Sequence, residues 1–99
     1  MQNGSKYGTK SWLIMSKKDK ILKKARSSPE NLSFNELCVL AEHAGFEFRN
    51  QTGSHKVFKH PIIKRMLNLQ PDKKDKSKAK KYQIKQVVAY IDDFNLMDD

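Results

Sequence analysis

Phe46-Glu47-Phe48-Arg49-Asn50-Gln51-Thr52-Gly53-Ser54-His55-Lys56-Val57-Phe58-Lys59-His60-Pro61 is the stretch whose reading decides the fold. Phe46 to Arg49 alternates apolar with charged residues, the two-residue period of a strand with one covered face. Thr52-Gly53 reads as a turn, and a second strand runs from Ser54 to His60 with Val57 and Phe58 inside it. Pro61, which has no backbone N–H for a ladder, closes that strand. Farther on, Arg65-Met66-Leu67-Asn68-Leu69-Gln70 alternates again and stops at Pro71. Three neighbouring strands with short connections predict an antiparallel meander.

Before the strands, Ser33 and Glu36 have the spacing of a capping box, in which each side chain bonds the other residue's backbone N–H. Phe34, Leu37, Cys38 and Ala41 follow at helical spacing, and Gly45 supplies a left-handed stop, so a helix is predicted over Phe34–Ala44. Farther upstream, Lys17 to Arg26 predicts a helix with a thin apolar face of Ile21, Leu22 and Ala25 ringed by lysines. Ser27-Ser28-Pro29 ends it. After the strands, Asp72 to Lys81 is a lysine-rich loop. A last helix is expected from near Tyr82, with a stripe of Ile84, Val87, Val88 and Ile91 and with Phe94 near its end.

The order helix, helix, three strands, helix is an α+β arrangement. Its economical packing places the Phe34 and Ile84 helices on one face of a three-stranded antiparallel sheet and leaves the other face wet. The Lys17 helix is extra to that core. Residues 1–15 read as a flexible leader, with Met15 an alternative start. Residues 16–97 read as a single domain with its core in 33–94, and Asp98-Asp99 as a fraying end.

The chain has 99 residues, of which 37% are hydrophobic, so its core is small and leaves little room for a buried cavity. Chemistry is expected on an open surface. Twenty Lys+Arg against 11 Asp+Glu give a net charge of +9, which favours an anionic partner: nucleic acid, an anionic membrane or an acidic protein. Cys38 is the one cysteine, which excludes an internal disulfide and fits a reducing compartment. No apolar run approaches the ~20 residues of a membrane span, and Trp12-Leu13-Ile14-Met15 is too short for a signal segment. A soluble cytoplasmic protein without a membrane partner is the expectation.

Histidine suits proton transfer near neutral pH, which makes His55, in a hairpin of a basic chain, the leading candidate for chemistry. Gly53 allows a tight turn and close approach to a phosphate, and Ser54 can bond a phosphate oxygen. Lys56, Lys59, Lys80 and Lys81 can neutralise phosphate charge. Tyr82, beside Lys80 and Lys81, is the aromatic best placed to stack on a base. Phe46, Phe48 and Phe58 are assigned mostly to the core. Cys38, His43, His55 and His60 match no zinc-ligand spacing, so no metal or cofactor is expected. In a regular strand His60 falls on the face opposite His55.

Five pieces of the chain, taken together, resemble the HicA family of toxin–antitoxin proteins. They are Ser33-Phe34-Asn35-Glu36-Leu37-Cys38, Ala44-Gly45-Phe46-Glu47, Gly53-Ser54-His55-Lys56-Val57-Phe58-Lys59-His60-Pro61, Leu67-Asn68-Leu69-Gln70-Pro71 and Lys81-Tyr82-Gln83-Ile84-Lys85-Gln86-Val87. The resemblance implies a double-stranded-RNA-binding-like α-β-β-β-α fold and an mRNA interferase, an endoribonuclease that arrests growth. It also implies His55 as the catalytic histidine and a HicB-type antitoxin that masks the active surface. The first thirty residues have no counterpart in the family, and the Asp72–Lys81 loop is richer in lysine and lacks its glycine. A catalytically silent RNA-binding module of the same fold is the alternative, since shape and phosphate contacts suffice to bind RNA. A third reading is an interaction protein whose basic face meets an acidic partner.

Overall fold

The structure, a computed structural model, describes residues 16–97. The leader expected over residues 1–15 and the fraying expected at Asp98-Asp99 lie outside them. The order is α1 (Lys17–Ser27), a 3₁₀ turn (Pro29–Asn31), α2 (Phe34–His43), β1 (Glu47–Thr52), β2 (His55–Lys59), β3 (Met66–Leu69) and α3 (Lys81–Asp93). The strands form one antiparallel sheet in the order β1-β2-β3. This is the α+β meander that the alternating runs predict.

Helix α2 has the ends its sequence specifies. The Ser33 hydroxyl accepts the Glu36 N–H at 3.0 Å, and the Glu36 carboxylate accepts the Ser33 N–H at 2.9 Å. At the other end, Phe46 N–H bonds the Ala41 carbonyl and Gly45 N–H bonds the Glu42 carbonyl, the two bonds of a Schellman turn. Gly45 has φ +101°, where a side chain is strained. A Cβ there would also lie 2.6 Å from His60 Nε2.

His60 is buried, and the hydrogen bonds around its ring determine its tautomer. Nδ1 accepts N–H bonds from Ile62 at 3.1 Å and Ile63 at 3.3 Å, so Nε2 carries the proton and donates to the Ala44 carbonyl at 3.2 Å. The Phe46 ring meets it edge to face at 5.2 Å. One imidazole thus joins the end of α2 to the β2–β3 connection.

The core lies between the two helices and one face of the sheet. Leu37, Leu40 and Ala41 of α2, Ile84, Val87 and Ile91 of α3, and Phe58, Leu67 and Leu69 of the sheet are all buried. Phe46 and Phe58 are core, as expected, but Phe48 is 49% exposed. It sits on the edge strand, touching the Phe58 ring edge at 5.7 Å. Cys38 is buried, which pushes its thiol up to about 11. His43 lies exposed in the last turn of α2.

Helix α1 buries Ile21 and Ala25 and is tied by ion pairs to both other helices. Lys24 Nζ reaches Glu36 at 3.0 Å, and Arg26 forms a two-pronged pair with Asp92 at 2.9 and 2.6 Å. Partial burial alone would raise the Glu36 carboxyl, but the Ser33 N–H and the Lys24 ammonium outweigh it and hold the group below its ordinary value. The Arg26 bond does the same for Asp92. Both contributions are present at neutral pH and fade as pH falls through the carboxylate range, and solvent screening keeps them modest.

Strand β1 runs farther than alternation suggests, through Thr52, although every residue in it is exposed. Ladder pairing with β2 holds it, and the register shifts between Phe48 and Asn50, leaving Arg49 as the extra residue of a bulge. The two-residue turn Gly53-Ser54 joins Thr52 to His55, with Gly53 at φ +60°.

Gly45→Ala is expected to cost roughly 3 kcal/mol, the sum of backbone strain and a displaced His60 bond. Gly53→Ala, whose Cβ would meet open space, should cost only about 1 kcal/mol. Urea unfolding midpoints of the two variants check the difference.

Candidate active site

His55, Val57 and Lys59 alternate on the face of β2 that no helix covers among the described residues, and Met66 and Asn68 of β3 share that face. His55 is half-buried, and its Nδ1 lies 3.2 Å from Asn68 Oδ1. An amide oxygen only accepts, so Nδ1 donates this bond, and in the neutral ring Nε2 keeps a free lone pair. Among the described residues no group bonds Nε2.

The other wall of the site comes from α3. Gln83 is buried, 3% exposed, among the apolar residues of that helix. Its Oε1 accepts the Gln70 N–H at 3.1 Å, and its Nε2 donates to the Asn68 carbonyl at 3.1 Å. The side-chain amide thus takes the place of a neighbouring strand's backbone along the outer edge of β3. Its second N–H reaches Tyr82 Oη at 3.3 Å. The result is an open depression of about 440 Å³ lined by His55, Asn68, Gln70, Tyr82, Gln83 and Gln86, among others.

Tyr82 also borders a second depression, with Glu30, Asp72, Lys78, Lys80 and Lys81. Its ring is exposed, with Lys80 Nζ 5.9 Å from its centroid. The loop carrying these lysines is shaped by its own acids. Asp72 accepts N–H bonds from Lys74 and Asp75, and Asp75 accepts from the Ser77 N–H and hydroxyl. The Ser77 bonds hold the Asp75 carboxyl below its ordinary value. Asp72 N–H in turn bonds the Lys78 carbonyl, and Ala79 N–H bonds the Leu32 carbonyl.

The structure therefore brings His55 and Tyr82 to one depression and Lys80 and Lys81 to its neighbour. Gly53 and Ser54 form the turn before His55 and line neither. Lys59 shares the face of His55 but stands at the far end of the strand. Lys56 lies on the opposite, helix-covered face, its Nζ 5.8 Å from the Phe34 ring centroid. Sequence reasoning missed Asn68 and Gln83. Asn68 carried no local signal, because its meeting with His55 depends on the β2–β3 register. Gln83 did carry one: it falls four residues before Val87, a polar residue at a core position of the stripe. Among the described residues no three His, Cys, Asp or Glu side chains form a metal-binding group, and no helix is long and apolar enough to cross a membrane.

Fold and site define a class: a small basic α+β protein with a histidine on an uncovered sheet face. Residues 34–93 match the family described as the HicA toxin of bacterial toxin–antitoxin systems, and the chain belongs to that family. It is thus a toxin of a toxin–antitoxin system, in a family whose toxins are ribonucleases. The match covers α2 through α3, and α1 precedes it. No curated protein and no solved structure gave a significant match.

Asn68→Leu removes the acceptor at Nδ1. The imidazole ¹⁵N shifts of His55 are expected to report a proton on Nδ1 in the parent protein and its redistribution toward Nε2 in the variant.

Proposed function

We propose that the protein is a metal-independent endoribonuclease that cleaves mRNA with His55 as its proton acceptor. The observation that carries this reading is the His55 ring itself, with Nδ1 bonded to Asn68 and Nε2 free over an open face. RNA brings its own nucleophile, the 2′-hydroxyl beside the scissile phosphate. Nε2 takes the 2′-hydroxyl proton, the 2′-oxygen attacks phosphorus, and the 5′-oxygen departs and takes up a proton from an acid on its own side, giving a 2′,3′-cyclic phosphate and a 5′-hydroxyl. Lys80 and Lys81, beside the site, offset phosphate charge, and the exposed ring of Tyr82 offers a stacking surface. Gly53 and Ser54 let the backbone before His55 approach the strand being cleaved. Lys59 extends the charge along the same face, and Lys56 contributes only to the long-range field.

None of these steps calls for a metal ion. The open face is also the surface a HicB-type antitoxin would have to cover to neutralise the toxin. Activity on mRNA places the working protein in the cytoplasm. Co-expression with the antitoxin gene should restore growth that the toxin alone arrests.

The purified protein is expected to cleave RNA in the presence of a chelator, and His55→Ala to lose at least about 10²-fold of that rate. Analysis of the product ends should find cyclic phosphate. Fragments ending in 5′-phosphate, or an undiminished rate in the variant, overturn the mechanism. Stable retention of intact RNA by the parent protein favours the non-catalytic RNA-binding module instead.

A further inference from the structure

One histidine accounts for one proton transfer, and the departing 5′-oxygen still needs a proton. We infer that Tyr82 supplies it, its phenolic hydroxyl acting as the general acid opposite His55 in the same depression. This rests on the ribonuclease reading above and extends it.

The direction of the Tyr82 hydroxyl follows from Gln83. The edge of β3 leaves the Gln83 amide only one orientation, because Oε1 must face the Gln70 N–H and Nε2 the Asn68 carbonyl. The remaining Nε2–H is therefore the donor to Tyr82 Oη at 3.3 Å. A phenol oxygen that accepts from Gln83 keeps its own O–H for another partner. Nothing among the described residues takes it, and the ring stands 62% exposed at the rim of the depression that His55 lines. Asn68 connects the two walls: its side chain holds His55 Nδ1, and its carbonyl holds the Gln83 amide that orients Tyr82.

The depression, at about 440 Å³, is within the size range of ligand sites. A phosphodiester seated there has the 2′-hydroxyl toward Nε2 and the 5′-oxygen toward Tyr82 Oη. The step balances without a further reactant. The 2′-O–H bond breaks and its proton goes to His55. The O2′–P bond forms as the P–O5′ bond breaks, and the Tyr82 proton passes to O5′. The phenolate and imidazolium left behind exchange a proton through solvent before the next turnover. A phenol is a stronger acid than the alcohol it protonates, so the transfer is downhill.

Tyr82→Phe keeps the ring, and with it any stacking, but removes the proton. It is expected to lower kcat on ordinary RNA by about 10²–10⁴-fold with KM little changed. The decisive substrate is RNA with a bridging 5′-sulfur at the scissile linkage, whose thiolate leaves without protonation. On it Tyr82→Phe should cleave at the parent rate, whereas His55→Ala stays slow on both substrates. A parent rate for Tyr82→Phe on ordinary RNA, or an equal loss on both substrates, overturns the assignment of Tyr82 while leaving His55 in place. If the parent protein cleaves neither substrate, the ribonuclease reading falls, and this assignment falls with it.

Discussion

The ring of His60 occupies the space a side chain on residue 45 would fill, and the architecture depends on that exclusion. The chain must reverse from α2 into β1 within three residues, which only the left-handed conformation of Gly45 allows. The same missing side chain admits the imidazole, which bonds the last turn of α2 on one side and the β2–β3 connection on the other. Helix and sheet are thereby held together by a buried polar group with all its partners present. A half-satisfied group in that position would be costly. With α2 docked in this way, Phe46 and Phe58 enter the core, and His55 is turned to the opposite face.

A second buried polar residue does for the site what His60 does for the fold. Gln83 takes a position in the apolar stripe of α3 that an aliphatic residue could fill. In exchange for that burial it satisfies backbone groups of β3 and fixes α3 against the strand that carries Asn68. Site geometry and sheet stability therefore share one side chain. The two chemically interesting rings sit on different secondary elements, yet their relative placement is set by bonds to the same strand.

Local features were legible in the sequence and long-range ones were not. The capping box at Ser33 and Glu36, the stop at Gly45 and the strand runs through Phe58 and Leu67 each depend on residues a few positions apart. Each appears in the structure at its expected place. Residues Asn50 to Thr52 gave no strand signal, because pairing with β2 rather than burial keeps them extended. His55 was legible from its turn and its flanking strands. Its neighbour Asn68 was not, since thirteen positions and a strand register separate them. Lys56 shows the converse: nearness in sequence grouped it with His55, whereas strand alternation alone sends the two to different faces. The 72–81 segment read only as a lysine-rich loop, and the side-chain bonds of Asp72 and Asp75 give that loop a definite course.

The two edges of the sheet are not equivalent. Along β3 the groups a further strand would seek, at Asn68 and Gln70, are already taken by the Gln83 amide. Among the described residues β1 is the edge left to recruit another chain, and there the bulge at Arg49 breaks the even spacing that strand addition requires. A small sheet with one face bare of helices among the described residues is thus protected from growing sideways into an assembly. Its uncovered face can stay open for a ligand without its edges inviting further strands to pair.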